Sequence, residues 1–459
     1  MTTHQPSPAL VRCGEFVASA VVPAAARDAA RNAVLDTVGV TLAGSIEPAA
    51  RLVREVARSE GGAPRCGVLG TSERTGAGWA ALANGTAAHA LDFDDMCFVS
   101  MAHPSAPLVA AGLATAELVQ ARGTALLDAY CVGFEVEAAL GRVMNPTHYE
   151  QGWHATSSIG TLGAAAVVAR LLGQDPATAV RSLAIAASGA CGLKESFGTM
   201  VKPLQGGLAG RHGVLAAQLA STGFTATELA LEGPQGLLVA MQSRGDDLQA
   251  EVAALGQVWE IVEGGITVKL YPSCAATHPT IDTLLDLRAE HGFGPDDVGE
   301  IDVAVDSVTP TVLIHERPTT GLEGKFSMHF CAAAAVVHGQ VGIETFESKV
   351  DDPAVRAFLP RVTMRADPAV GVDQPTLTEA VVTVRLKDGR TLERRVRGAR
   401  GYPVNPPTRD DLDQKFLSCA RRALSTDAAD DILAWLRDLD DRPVAGLVEL
   451  AGQPAPAAV

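Results

Sequence analysis

The chain has 459 residues, 47% of them apolar and 20% charged, with a formal net charge of −16. That length supports about two to three domains and a large core, and the acidic balance speaks against nucleic acid or an anionic membrane as partner. Aromatic residues are only 4%, so the core must be built from alanine, valine and leucine, which favours closely packed helices.

From about residue 23 to 265 the spacing predicts helices. Residues 23–44 carry Ala, Val and Leu three and four positions apart and end in glycine. Similar runs recur at 47–59, 76–90, 106–121, 124–141, 157–172, 177–190 and 211–222, separated by glycine-rich breaks. After about 266 the texture changes. EIDVAVDSV at 300–308 alternates as a half-buried strand should, and 326–338 is an alanine-rich helix. AVVTVRLKDGRTLERRV at 380–396 predicts two strands joined around Asp388-Gly389. Helix returns from 408, and the terminal GQPAPAAV is expected to fray. The expected fold class is mainly α: a large all-helical domain from residues 1–267 with 405–459, plus a smaller α+β lid domain from 268–404.

The eight cysteines are scattered with no CxxC pair, as free thiols would be in a reducing compartment. The opening MTTHQPSPALVRCGEF lacks a basic segment leading into an apolar one, and no uncharged apolar run approaches the length of a membrane span. A cytoplasmic protein without a membrane partner is expected.

Lysine usage is the informative asymmetry. Of 37 basic residues only seven are lysine, at 194, 202, 269, 325, 349, 387 and 415. Surface charge here is managed with arginine, so a lysine marks a place where a compact, tunable charge is needed. Lys202 lies amid glycines just before a predicted helix, and Lys269 at the joint between the helical and α+β segments. His103, His154 and His278 each stand where a helix begins, where free backbone N–H groups favour an anion. Taken singly, each is more often structural than catalytic; converging in one cleft with the lysines, they would make a receptor for a small polycarboxylate.

The stretch ALDFDDMCFVSMAHPSAP, from Ala90, packs Asp92, Asp94, Asp95 and His103 together. Its DFDD matches the DxDD acid of some terpene cyclases, but their pockets need aromatic walls that this composition does not supply. Carboxylates and a histidine could also hold magnesium or zinc, yet no paired HxxxH or cysteine ligands accompany them, and no metal is expected. The remaining use is one aspartate orienting a base while the others cap helices.

Five blocks together resemble the MmgE/PrpD family: HALDFDDMCFVSMAHPSAP, GWHATSSIGTLGAAAVVARLLG, FGTMVKPLQGGLAGRHGVLAAQLASTGFT, VKLYPSCAATHPTID and GKFSMHFCAAAAV. The family includes 2-methylcitrate dehydratase, cis-aconitate decarboxylase and iminodisuccinate epimerase. The resemblance implies a helical domain with an α+β lid, a homodimer, and a cleft that takes a di- or tricarboxylate without cofactor or metal. It maps catalytic roles onto Asp92, His103, Lys202, Lys269 and His278, and substrate contact onto His154. Three positions depart from the family pattern: Met96 stands for a threonine, Gln205 for a histidine and Phe330 for a tyrosine. They too are expected at the substrate.

Each departure removes a proton donor, which a dehydratase needs for its leaving hydroxide. A proton moved on and off a single carbon makes lighter demands. The leading expectation is therefore an epimerase acting α to a carboxylate, with His103 oriented by Asp92 and opposed by Lys202, Lys269 or His278. A dehydratase or decarboxylase is the alternative, and a non-catalytic carboxylate-binding scaffold the third.

Overall fold

Small residues set the geometry of the helical part. In the computed structural model, which describes residues 8–60, 62–243 and 247–452, helices Ala24–Gly44, Ala77–Ala90, Ser105–Leu118, Gly123–Met144, Ala155–Leu171, Pro176–Gly189 and Val201–Ser221 pack against one another. Alanines and glycines recur at their contacts among leucines and valines. An added Cβ on Gly207 would lie 2.3 Å from the Leu82 carbonyl oxygen, and one on Gly213 would lie 2.6 Å from Ala164. No side chain fits there, so the Val201–Ser221 helix approaches its neighbours backbone to backbone. The expected frayed end falls, beyond Gly452, outside the described residues.

That close approach corrects one boundary. The spacing placed a helix at 211–222 with Lys202 ahead of it, whereas the helix starts at Val201 and holds Lys202 in its first turn. Glycines 206, 207, 210 and 213 look like breaks in sequence but are contact positions inside the helix.

The smaller α+β region holds a four-stranded sheet in the order Val362–Ala366, Val298–Val305, Glu379–Leu386, Thr391–Arg397. The first two run parallel; the others pair antiparallel, the hairpin matching Glu379 with Arg397 and Arg385 with Thr391. Ile301, Val303, Val305, Ala380, Val382 and Val384 are buried, and helices His278–His291 and Met328–His338 pack on the sheet. The Val362–Ala366 strand was not anticipated. It is a five-residue edge strand with only Val362 buried, too short and too exposed to give a clear apolar pattern. The His278–His291 helix, rich in threonine and aspartate, begins at His278, where the sequence placed a helix start. The fold is thus mainly α with a smaller α+β region.

From Arg409 the chain is helical again. Helices Arg409–Ala420 and Thr426–Arg437 pack on Ala24–Gly44, and Val444–Ala451 on Ser105–Leu118. Thr408 and Asp411 form a reciprocal capping box that starts the first of them. Among the described residues, no single helix is long and apolar enough to cross a membrane.

Candidate active site

The site is organised around three consecutive residues. Helix Ala77–Ala90 ends, and the chain turns through Leu91, Asp92 and Phe93, with Asp92 at φ +52°. That left-handed conformation suits aspartate better than most residues, and it bends three carbonyls away from any helical partner. Three buried lysines take them up, and a fourth binds the Asp92 side chain. Lys325 donates to the Leu91 carbonyl, Lys269 to that of Asp92 at 3.0 Å, and Lys415 to that of Phe93 at 2.8 Å. Lys202 donates to the Asp92 carboxylate, whose other oxygen lies 3.1 Å from Lys269. The four lysines come from distant parts of the chain, so this one turn ties the helical and α+β regions together.

Burial alone would push the Asp92 carboxyl up, but Lys202, Lys269 and His103 outweigh it and hold the group well below the usual carboxylate range. Asp92 is therefore an anion locked between two ammonium groups. Lys325 is pulled down to about 8 by burial, with Asp92 and Glu47 opposing.

A second cluster lies beside it. His103 directs Nε2 toward Asp92 at 3.7 Å and Nδ1 toward Asp94 at 3.4 Å. Asp94 also accepts from His89 Nδ1 at 2.7 Å. Burial pulls His103 down to about 4, Asp94 partly opposing and Lys269 and Lys202 assisting, so the imidazole is neutral near pH 7. Asp94 stays ionised in spite of burial because both histidines face it. Asp94 thus does more than cap a loop. Asp95 is the one that holds backbone: it accepts from the Ser105 N–H at 3.2 Å and from the Ser105 hydroxyl, and burial raises it to about 8.

Around these groups lies a small, tight cavity, lined by Asp92, Met96, His103, Tyr149, His154 and Lys202, with an apolar wall of Met101, Phe197, Val312, Phe326 and Leu377. Helical and α+β regions both contribute to it. His154 precedes the Ala155–Leu171 helix, and its Nδ1 pairs with Gln205 Oε1 at 2.5 Å. Its Nε2 has no partner among the described residues, which leaves it free for a ligand.

The expected residues therefore separate. Asp92, Met96, His103, His154 and Lys202 line the cavity, and Lys269 lies directly behind Asp92. Gln205 touches the cavity only through His154. His278 is fully buried against Tyr271 and Tyr402, with Nε2 3.2 Å from the Ser273 carbonyl; it reaches the site through neighbours only. Phe330 packs on Phe346, ring centroids 5.6 Å apart, and does not line the cavity.

Three useful groups were missed. His89 and Lys325 carried no motif signal beyond residue type, though the scarcity of lysine pointed at Lys325. Tyr149 brings a phenol to the cavity, and burial keeps its pKa well above the usual range, so it remains a donor.

His89, Asp92, Asp94 and His103 also offer one ligand atom each within 4.8 Å of one another, a spacing a cation could use. Lys202 and Lys269 already hold Asp92, however, and a dication would face both ammonium groups. The cluster is built to share protons and charge.

The family model for the MmgE/PrpD N-terminal domain matches residues 15–250, and that for the MmgE/PrpD C-terminal domain matches 271–441. Cis-aconitate decarboxylase of Homo sapiens is 28% identical over 376 residues, 79% of this chain and 76% of its own. The cis-aconitate decarboxylase-like protein oryM of Aspergillus oryzae is 28% identical over 433 residues, 88% of each chain. Cis-aconitate decarboxylase of Aspergillus terreus is 24% identical over 411 residues, 84% of this chain and 83% of its own. With both domain models matched in order across most of its length, the chain belongs to the MmgE/PrpD family.

Proposed function

We propose that this protein is a lyase that acts on a small polycarboxylate with its own side chains alone, in the manner of a cis-aconitate decarboxylase. The observation that carries the proposal is the Asp92–Lys202–Lys269 ion cluster beside a neutral His103 at the wall of a small cavity. Losing a carboxyl group from an unsaturated acid breaks one C–C bond and releases CO2. The electron pair passes through the double bond onto the remaining carboxylate, and a proton then quenches the carbanion. Lys202 and Lys269 oppose the negative charge as it develops. His103, whose pKa rises when a polyanion binds beside it, becomes the proton donor. Tyr149 and His154 offer further donors.

A second reading, epimerisation of an iminodisuccinate-like acid, uses the same proton step on a single carbon. Met96, a thioether at the cavity, favours it. The wider case for it is weaker than the sequence suggested, since Phe330 is remote from the cavity, Gln205 serves His154, and Tyr149 supplies a phenol.

Incubation with cis-aconitate, followed by the loss of its conjugated absorbance and by CO2 release, tests the first reading; chiral chromatography of iminodisuccinate tests the second. CO2 release that is lost in Lys202→Ala supports the lyase. Stereoinversion without CO2 release replaces it with the epimerase.

A further inference from the structure

Asp94 and His89 lie outside the cavity lining yet are organised around the group that is to move the proton. Asp94 is fully buried on the Ala90–His103 connection, and His89 sits in the last turn of the Ala77–Ala90 helix, buried as well. One carboxylate oxygen, Asp94 Oδ2, faces both Nδ1 atoms: His89 at 2.7 Å and His103 at 3.4 Å. The two rings meet edge to face with centroids 4.6 Å apart, and His89 stacks on His154 at 5.6 Å on its other side. Two observations fix the direction of His103. Its Nδ1 is buried, makes no hydrogen bond among the described residues and lies 3.4 Å from Asp94 Oδ2, while Nε2 is the nitrogen nearest Asp92, at 3.7 Å, on the cavity side.

An ionised carboxylate accepts and does not donate. Shared between two imidazoles, it selects the N–H form at each facing nitrogen. We infer that Asp94, itself held by His89, is a positioning residue that fixes His103 as its Nδ1–H tautomer and leaves the Nε2 lone pair directed at the cavity. The arrangement rests on His103 being the proton-transfer group. Without Asp94, His103 would be free to place its proton on Nε2, facing Asp92, and the nitrogen that takes up and passes on the proton would no longer be held open to the cavity, although every cavity contact was intact. His89 then has a definite role: its N–H holds Oδ2 in place, and its ring is the packing wedge between His103 and His154. Nothing in this arrangement needs an additional ligand or cofactor.

The tautomer can be read without any substrate. In protein labelled with 15N at histidine, long-range 1H–15N correlation distinguishes the two ring nitrogens, and His103→Gln assigns the signal. The expected result between about pH 6 and 8, the range in which a typical histidine titrates, is a protonated Nδ1 and an unprotonated Nε2 in the wild type. Asp94→Asn should invert or average that pattern. A wild-type His103 carrying its proton on Nε2, or an Asp94→Asn protein that keeps the wild-type pattern, overturns the inference. Should Asp94→Asn fail to fold, the wild-type spectrum alone still decides. With cis-aconitate as substrate, Asp94→Asn is expected to lower kcat about 10²- to 10⁴-fold, as losing the correct tautomer does elsewhere, with KM little changed. A raised KM with kcat intact would contradict the positioning role. Failure of the wild type to turn over cis-aconitate bears on the proposed lyase activity alone, because the spectrum reads the tautomer independently.

Discussion

At the scale of single residues, the account turns on which groups charge and which only pack. Lys202→Met removes one of two ammonium groups from the buried Asp92 carboxylate. Turnover is expected to fall about 100-fold or more, as when a preorganised electrostatic partner is lost. Denaturant unfolding should show a loss of stability below the ~3–5 kcal/mol typical of a fully orphaned buried charge, because Lys269 remains. Phe330→Tyr gives the opposite pattern: a hydroxyl forced into a fully buried ring site lowers stability by about 1–3 kcal/mol and leaves KM unchanged. The pH profile follows from His103. Burial lowers its pKa to about 4, and the lyase reaction needs it protonated, so kcat/KM of the free enzyme should fall as pH rises above about 4, with its limb there and not near ~6.5. Much of this was legible in sequence, since lysine scarcity and the DFDD…H stretch pointed at Asp92, His103, Lys202 and Lys269 together. Which aspartate faces which histidine nitrogen was not, because two positions apart in a left-handed turn carry no periodic signal. Phe330 was misplaced because a motif position fixes an identity without fixing the direction of its side chain.

Among the elements, the Val201–Ser221 helix decides whether the site forms. It delivers Lys202, and its glycines let it lie against Ala77–Ala90, which delivers His89 and Asp92. In an exposed helix, glycine to alanine would be stabilising. Here the sign reverses: Gly207→Ala would set its Cβ 2.3 Å from the Leu82 carbonyl oxygen and 2.4 Å from the Thr86 hydroxyl. The expected cost is about 1–3 kcal/mol of overpacking, with activity falling too as Lys202 moves off Asp92. Thermal denaturation and a kinetic assay of the same variant check both, and a variant more stable than wild type would contradict the close approach. Alanine periodicity and the Asp388-Gly389 turn made most helices and the hairpin readable. The start of this helix was not readable, because a glycine at a backbone contact and a glycine at a break look alike without the partner helix.

For the whole molecule, buried ionisable groups make stability depend on pH in two opposing ways. His103 and His148 are lowered to about 4 and His278 to about 3, each mainly by burial. Unfolded histidines protonate near ~6.5, so stability is fully present above that pH and is lost as it falls toward about 4. Asp95 is raised to about 8 and Glu135 to about 7, again by burial. A carboxyl raised in the fold contributes stability below its unfolded pKa of ~4, lost as pH rises through the folded value. Above about pH 6.5 the histidines add nothing more, so the melting temperature should decline toward pH 8, and Asp95→Asn should flatten that decline. An unchanged slope would show Asp95 ionised in the fold. The same joining of distant segments around Leu91–Phe93 that makes these groups bury also makes the site, and the central claim is that this site moves a proton at carbon next to a carboxylate. Turnover of cis-aconitate in D2O, with the product followed by NMR, tests that claim most directly. The account predicts one deuteron per turnover on the carbon α to a carboxylate with wild type and no turnover with His103→Gln; a product free of deuterium, or a His103→Gln protein that turns over at the wild-type rate, would contradict it.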